Sequence, residues 1–256
     1  MNVSNYERIS QEEHVSKFLT QDYLDNRTKT FDSKTFESFL NQEEIDLFNY
    51  YWKHPKRTHF IDTSMTPIQE RLLGPGDHKT AEYNIFNDLY TNKWWAGLKE
   101  ILHNRIQAWL GDNIYIPHCH VLDSHYPYGI HTDAQQAGFQ FAPHPAWTVI
   151  IPLEDYNSKT YVFNEPSVQK TPEEHREAHG IELRDEMCIS EEVYQQDFAG
   201  LGTPREHLQM LTVDGTYPWK AGSAIASDRY KFHSSDNYYN HGITNKRAII
   251  LWTTHT

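Results

Sequence analysis

The chain has 256 residues, a length that suits one domain with a full-sized hydrophobic core. Aromatic residues make up 14% of it and are accompanied by 12 glycines and 12 prolines, which is typical of a β-rich fold with many turns. The net charge is −12, and the sequence has no Lys/Arg cluster of the nucleic-acid-binding type. Because such binding depends on neutralising phosphates, the charge argues against a nucleic-acid partner.

The cysteine content and hydropathy of the sequence argue against several further classes of protein. Cys119 and Cys188 are too few for a disulfide framework or a thiolate zinc site. The first residues contain no apolar signal-peptide core, and no apolar run approaches the roughly 18 residues of a membrane-spanning helix. We therefore expect a cytoplasmic protein without membrane spans.

The region 1–113 is predicted to be helical. Asn41 and Glu44 have the spacing of a capping box at the start of a helix. The apolar face of that helix is predicted to contain Ile45, Phe48 and Trp52. A second amphipathic helix is predicted over 92–110, with Gly111 directly after it.

From residue 114 onward the pattern changes to short β-branched or aromatic runs separated by Gly, Pro and Asp. The predicted strands cover 114–122, 131–133, 147–153, 160–164, 208–213, 223–227 and 248–253. The stretch at about 165–206 is polar and acidic, and we interpret it as an insertion that is partly helical and partly loop. Helices followed by many short strands predict a single domain, 1–256, in which a β core at 114–256 is backed by the N-terminal helices.

The most informative motif is the pair His131 and Asp133, at the end of the sequence Tyr-Pro-Tyr-Gly-Ile-His-Thr-Asp. Side chains alternate along an extended strand, so both are expected on the same face. A converging imidazole and carboxylate supply two of the three ligands of the 2-His-1-carboxylate triad, which binds Fe(II) and leaves other coordination positions open. A distant histidine is then required as the third ligand. A turn at Gly222 and a predicted strand lead to His233, which makes it a candidate.

The order of these motifs resembles the Fe(II)/2-oxoglutarate-dependent oxygenases, most closely their small bacterial and phage-type members. The resemblance covers roughly 114–256 and includes the runs at 147–154 and 161–165 as middle strands. It implies a mainly β fold with flanking α, a double-stranded β-helix barrel of the jelly-roll or cupin type. It also implies that His131, Asp133 and His233 bind the iron. His241 is the rival third ligand, but it lies closer to the following basic pair than the family's spacing favours.

The resemblance further implies a basic residue on the last strand that binds the distal carboxylate of 2-oxoglutarate. Lys246 and Arg247 are adjacent, so only one of them can point inward on a strand. The register of the run Lys-Arg-Ala-Ile-Ile-Leu-Trp favours Lys246, whereas the family's more common choice of arginine favours Arg247. Tyr126 matches an aromatic position that often lies near the co-substrate; the alternative is a packed aromatic side chain in a proline turn.

The activity implied by the resemblance is the oxidative decarboxylation of 2-oxoglutarate to succinate with O2, coupled to hydroxylation or a related C–H oxidation of a small molecule. Asp133 provides a carboxylate where halogenating members have a small residue, so the resemblance implies a hydroxylase rather than a halogenase. The acidic insertion suits a cationic or zwitterionic substrate. Two alternatives stay open: a cupin-like metal enzyme that does not use 2-oxoglutarate, and a non-catalytic jelly-roll binding module.

Overall fold

A computed structural model describes residues 31–53, 60–62, 80–84, 96–134 and 145–255, and it shows a mainly β protein. The strands are β1 Lys34–Phe36, β2 Phe60–Asp62, β3 Thr80–Asn84, β4 Ile114–Ser124, β5 Pro145–Pro152, β6 Lys159–Pro166, β7 Val213–Pro218, β8 Ala224–Asp228, β9 Lys231–Ser235 and β10 Lys246–His255. The helices are α1 Gln42–Lys53, α2 Ala96–Leu110, α3 Pro172–His179, α4 Glu191–Asp197 and α5 Arg205–Met210, with a 3₁₀ helix at Tyr238–His241. None of the helices within these ranges is long and apolar enough to cross a membrane.

The described strands form two antiparallel sheets. The larger sheet has seven strands in the order β1-β8-β5-β10-β4-β3-β2, and the smaller sheet has three in the order β7-β6-β9. In the larger sheet β10 is central, because it pairs with β4 on one side and with β5 on the other. A mainly β fold with antiparallel sheets is therefore confirmed, while closure into a double-stranded β-helix barrel stays a prediction.

The alternation of side chains along β10 separates two apolar layers. Ile249 and Leu251 belong to the main core, in which the apolar faces of α1 and α2 pack against the seven-stranded sheet. The buried helical residues of this core are Ile45, Phe48, Leu98, Leu102 and Ile106. On the opposite side of β10, Ala248 joins a small cluster with Trp219, from the turn before β8. The helices α1 and α2 therefore pack against the larger sheet.

The stretch at 165–206 contains the helices α3 and α4. The α3 helix begins with a capping box between Thr171 and Glu174. Apolar residues of the insertion and of α5 pack against side chains of the three-stranded sheet. The buried members of this cluster are Ile130, Tyr161, Phe163, Phe198, Leu208, Met210, Leu211 and Phe232.

Two predictions about secondary structure were wrong. The region 1–113 is not only helical, because β1, β2 and β3 join the larger sheet. The predicted strand at 208–213 lies mostly in α5 and in the turn after it, and β7 begins only at Val213. Pro204 at the N-cap favours the start of α5 because its fixed φ angle suits that position. The first four residues of the predicted helix 92–110 and the side chain of Trp52 lie outside the described part of the chain.

The segment from Gly222 to His233 contains the predicted strand at 223–227, which is β8, but His233 lies on a further strand. The segment forms two strands, β8 in the larger sheet and β9 in the smaller one. Between them the Asp228 carboxylate accepts a hydrogen bond of 3.0 Å from the backbone N–H of Tyr230, which is the geometry of an Asx turn. This turn carries the chain from one sheet to the other.

The capping box of α1 provides a test of the helix assignment. The backbone N–H of Glu44 donates to the Asn41 side chain at 3.0 Å, and the backbone N–H of Asn41 donates to the Glu44 carboxylate at 2.9 Å. We expect Asn41→Ala to lower the free energy of unfolding by about 1 kcal/mol, because the N-terminus of the helix loses the side chain that caps it. Chemical denaturation measures the change. A matched Gln42→Ala substitution should cost only a few tenths of that, and equal losses would contradict the assignment.

Candidate metal centre

The structure brings the three predicted metal ligands together. His131 and Asp133 lie in the segment after β4, and His233 lies in β9. Their ligand atoms all lie within 4.8 Å of one another. The Asp133 carboxylate is 3.9 Å from Nε2 of His131 and 3.5 Å from Nε2 of His233. Two imidazoles and one carboxylate around a common point are the donor set that the sequence predicted.

Backbone hydrogen bonds hold the two segments that carry these ligands. The N–H of His131 donates to the carbonyl of His233 at 3.0 Å, and the N–H of His233 donates back at 2.8 Å. The N–H of Asp133 donates to the carbonyl of Arg229 at 3.1 Å. The predicted strand at 131–133 is thus reduced to a single β-bridge, yet the two side chains still reach the same point.

Each imidazole is oriented by a main-chain carbonyl. Nδ1 of His131 lies 2.7 Å from the carbonyl of Gly129, and Nδ1 of His233 lies 3.3 Å from that of Lys231. A carbonyl can only accept, so the proton resides on Nδ1 and the lone pair on Nε2. Both Nε2 atoms face Asp133, which is the arrangement that metal-ligating histidines use.

The Asp133 carboxylate is positioned by two hydrogen bonds from the larger sheet. Its Oδ2 accepts from the hydroxyl of Thr148 at 2.6 Å and from the indole N–H of Trp252 at 2.9 Å. The guanidinium of Arg229, which is fully buried, donates to the main-chain carbonyl of Asp133 at 3.1 Å. Such contacts fix a carboxylate ligand before a metal arrives.

The electrostatics of the site suit a cation. Burial and the neighbouring His233 lower the pKa of His131 to about 4. Burial alone would raise the pKa of Asp133, but the two histidines and the bonds from Thr148 and Trp252 lower it to about 2. At neutral pH His131 is therefore uncharged and Asp133 is ionised, which are the states that bind a metal.

Lys246 lies on the inner face of β10 and is almost fully buried. Its ammonium donates to the hydroxyls of Ser158 at 2.8 Å and Ser235 at 2.9 Å. Ser235 is two residues after His233 on β9, so the two side chains share a face of that strand. Burial lowers the pKa of Lys246 to about 7, although the nearby Asp236 acts in the opposite direction.

Two aromatic rings also contact the Lys246 ammonium. It lies 3.7 Å from the ring centroid of Trp219 and 4.6 Å from that of Tyr238, both within the range of a cation–π interaction. Hydroxyls and aromatic rings surround the ammonium, and the carboxylate of Asp236 lies 3.9 Å away. This distance is longer than a hydrogen bond, so the ammonium can still attract a further anion.

Arg247 projects from the opposite face of β10. Its guanidinium is 3.1 Å from the Asp123 carboxylate and 3.5 Å from that of Glu154. It also contacts Asn49 of α1 at 3.3 Å. Arg247 is therefore engaged with carboxylates on the helix-covered side of the sheet, and its predicted role toward a co-substrate gains no support from these contacts.

Tyr126 is buried one layer behind the triad. Its ring centroid is 5.0 Å from that of Tyr128, whose ring centroid is in turn 5.9 Å from that of His131. Tyr126 therefore packs beside the aromatic neighbour of a ligand, and its predicted role near the co-substrate stays a prediction.

The rival ligand His241 does not belong to the triad. It lies with Asp197 and Asp236, in a second group of potential ligands.

Sequence reasoning also missed the residues that position Asp133. A signal for Trp252 existed, because it is six residues after Lys246 and therefore shares its face of the strand. Thr148 had no comparable signal, since its partner is distant in sequence.

Comparisons with solved structures agree with the fold. The non-heme alpha ketoglutarate dependent epimerase SnoN from nogalamycin biosynthesis has a TM-score of 0.50 and 12% identity over 91% of this chain and 82% of its own. HygX from Streptomyces hygroscopicus, solved with nickel and 2-oxoglutarate bound, has a TM-score of 0.47 and 14% identity over 93% of this chain and 87% of its own. EvdO2 from Micromonospora carbonacea var. aurantiaca, complexed with 2-oxoglutarate, has a TM-score of 0.47 and 11% identity over 98% of this chain and 93% of its own.

At these identities the likeness to SnoN concerns the fold alone. No protein-family model and no curated protein matches the chain. The likeness to SnoN therefore supports the fold that the resemblance implied.

The hydrogen bonds to Asp133 generate a prediction about metal affinity. We expect Trp252→Phe to weaken Fe(II) binding by about 10- to 100-fold, because Oδ2 loses a donor that orients it. Anaerobic competition with a chromophoric chelator measures the affinity. Trp109→Phe, a partly buried tryptophan of the main core, is the matched control and should leave the affinity unchanged. Equal affinities for Trp252→Phe and the unaltered protein would contradict a positioning role for the indole.

Proposed function

We propose that the protein is an Fe(II)/2-oxoglutarate-dependent oxygenase that oxidises a C–H bond of a small molecule. The observation that carries the proposal is the combination of the His131, Asp133 and His233 cluster with the buried ammonium of Lys246. The two meet along β9, where Ser235 shares a face with His233 and accepts a hydrogen bond from Lys246. A metal enzyme that does not bind 2-oxoglutarate would not need the buried ammonium of Lys246 beside the metal ligands.

In this proposal the triad holds the iron. Two neutral imidazoles and one ionised carboxylate form the facial set of non-haem Fe(II) oxygenases, which leaves positions for other ligands. When bound, Fe(II) with 2-oxoglutarate and O2 supplies the oxidising chemistry. The protein orients the ligands through Gly129, Lys231, Thr148 and Trp252, and burial of the site limits water.

Lys246 is proposed to bind the distal carboxylate of 2-oxoglutarate. It is a buried point charge whose neighbours Ser158 and Ser235 offer hydroxyls to the same anion. A carboxylate would also favour the protonated form of this amine. Arg247 is excluded from the role in this proposal, since its guanidinium contacts Asp123 and Glu154 on the other side of β10.

The reaction type and the substrate are proposed on narrower grounds. Asp133 occupies the position that halogenating members keep small, which favours hydroxylation or a related C–H oxidation. SnoN, which has a similar fold, is an epimerase, so one fold can support more than one reaction. The insertion borders the site, because the carbonyl of Gln169 accepts from the Thr132 hydroxyl at 2.8 Å. Its acidic character suits a cationic or zwitterionic small molecule.

Substitutions on β10 test the anchor. We expect Lys246→Met to weaken 2-oxoglutarate binding by about 10- to 100-fold, because charge-assisted hydrogen bonds contribute about 1.5–3 kcal/mol. Calorimetric titration of the Fe(II)-loaded protein under anaerobic conditions measures the affinity. Arg247→Gln, at the adjacent position, is the matched control and should bind 2-oxoglutarate normally.

Three other outcomes would contradict the proposal. Loss of affinity in Arg247→Gln but not in Lys246→Met would reverse the assignment of the anchor. No measurable binding of 2-oxoglutarate to the unaltered, Fe(II)-loaded protein would favour a cupin-like enzyme that does not use 2-oxoglutarate. Absence of stoichiometric Fe(II) binding in the unaltered protein, together with unchanged ligand binding in His131→Ala, would favour a non-catalytic binding module.

A further inference from the structure

A second group of ligand-type side chains lies in the interior and shares no residue with the triad. It consists of Asp197 at the end of α4, Asp236 just after β9, and His241 in the 3₁₀ helix. Their ligand atoms lie within 4.8 Å of one another. Nε2 of His241 is 3.7 Å from Oδ1 of Asp197 and 3.7 Å from Oδ2 of Asp236. These separations are as short as those within the triad.

The scaffold fixes this group as firmly as it fixes the triad. The N–H of Asn237 donates to the carbonyl of Asp197 at 2.7 Å, and its side-chain amide donates to the carbonyl of Ala199 at 2.9 Å. The side-chain amide of Asn240 donates to the carbonyl of Gln196 at 2.7 Å. The 3₁₀ helix is therefore fastened to the end of α4, and the three ligand-type side chains converge between them.

One oxygen of each carboxylate lies near an ammonium, and the other faces His241. On Asp236 the oxygen that faces His241, Oδ2, also accepts a hydrogen bond from the backbone N–H of Lys159 at 3.1 Å. Oδ2 of Asp197 is 2.7 Å from the ammonium of Lys159. Oδ1 of Asp236 accepts from Ser158 at 2.6 Å and lies 3.9 Å from the ammonium of Lys246. The two ammonium groups thus stabilise the outer oxygens. The inner oxygens, Oδ1 of Asp197 and Oδ2 of Asp236, face the imidazole.

Two of the converging atoms have no hydrogen-bond partner although they are buried. They are Oδ1 of Asp197, whose side chain is only 1% exposed, and Nε2 of His241. The 3.7 Å between them is too long for a hydrogen bond. Buried polar atoms are almost always paired, so an unpaired acceptor aimed at an unpaired imidazole nitrogen indicates a group that binds between them.

We propose that Asp197, Asp236 and His241 bind a second divalent transition-metal ion, of the class of Zn²⁺ or Mn²⁺. One imidazole nitrogen and two carboxylate oxygens are hard to intermediate donors of the kind these ions accept. Asp197 and Asp236 would each offer the metal the oxygen that faces His241, while the other oxygen stays near an ammonium. A metal here joins the end of the insertion to the loop after β9, and so ties the cover of the three-stranded sheet to the strand that carries His233.

Metal counting with Zn²⁺ as the probe tests the site. The chelator-stripped protein is loaded with Zn²⁺, passed over a desalting column and analysed by elemental mass spectrometry. We expect two ions per chain in the unaltered protein and one in Asp197→Asn, in His241→Gln, and in the double variant His131→Ala/His233→Ala. His207→Gln, a partly buried histidine outside both groups, is the matched control and should keep two. The readout needs no turnover, so it stays independent of the proposed oxygenase activity.

A second measurement does not depend on variants of the new site. In the His131→Ala/His233→Ala chain, Co²⁺ should bind at one equivalent and give visible d–d absorption bands. Thermal unfolding of the same chain should move to a higher temperature with Zn²⁺. One ion in the unaltered protein, together with no Co²⁺ bands in the double variant, would overturn the proposal. A bound water or a proton between Asp197 and His241 would then explain the two unpaired atoms.

Discussion

The pair of backbone hydrogen bonds between His131 and His233 is the constraint on which the rest of the site depends. It joins the segment after β4 to β9, and so brings together candidate metal ligands that are about a hundred residues apart along the chain. A helix or a hairpin could not do this, because its contacts are local. Fixing the backbone first means that the side chains need only ordinary hydrogen bonds to aim their donor atoms at a common point. The conformational entropy of the three side chains is therefore lost during folding and not during metal binding.

The second constraint is the alternation of side chains along β10. Lys246 and Trp252 occupy the inner face, where one meets the hydroxyls near β9 and the other meets Asp133. Arg247 occupies the outer face and pairs with carboxylates there. A shift of one residue in the register of β10 would exchange the lysine for the arginine and remove the indole from Asp133. Because β10 pairs with strands on both sides, that register is fixed by two independent ladders.

Much of this arrangement was predictable from the sequence, and the reasons for the rest are physical. The His-x-Asp motif and its distance from a basic pair on a terminal apolar strand were enough to choose His131, Asp133 and His233. The capping box at Asn41 predicted a helix start because its contacts are local. Local patterns failed where tertiary packing decided the outcome. Leu208 and Met210 are apolar at strand-like spacing, yet they belong to α5 and are buried against the smaller sheet.

Contacts between distant segments were beyond a reading of one sequence. Nothing local pairs Thr148 with Asp133, or brings Asp197 to His241. The short Asx turn at Asp228, which separates β8 from β9, was also hidden within a continuous run of strand-like residues. His241 shows the same limit, since sequence spacing made it a rival ligand of the triad while the fold assigns it to another group.

The most direct test of the central claim is the visible spectrum of the protein with Fe(II) and 2-oxoglutarate in the absence of oxygen. Chelation of the iron by 2-oxoglutarate at the triad predicts a weak metal-to-ligand charge-transfer band. The band should vanish in His233→Ala and persist in His241→Ala. A spectrum without the band in the unaltered, Fe(II)-loaded protein, or a band that survives in His233→Ala, would contradict the account.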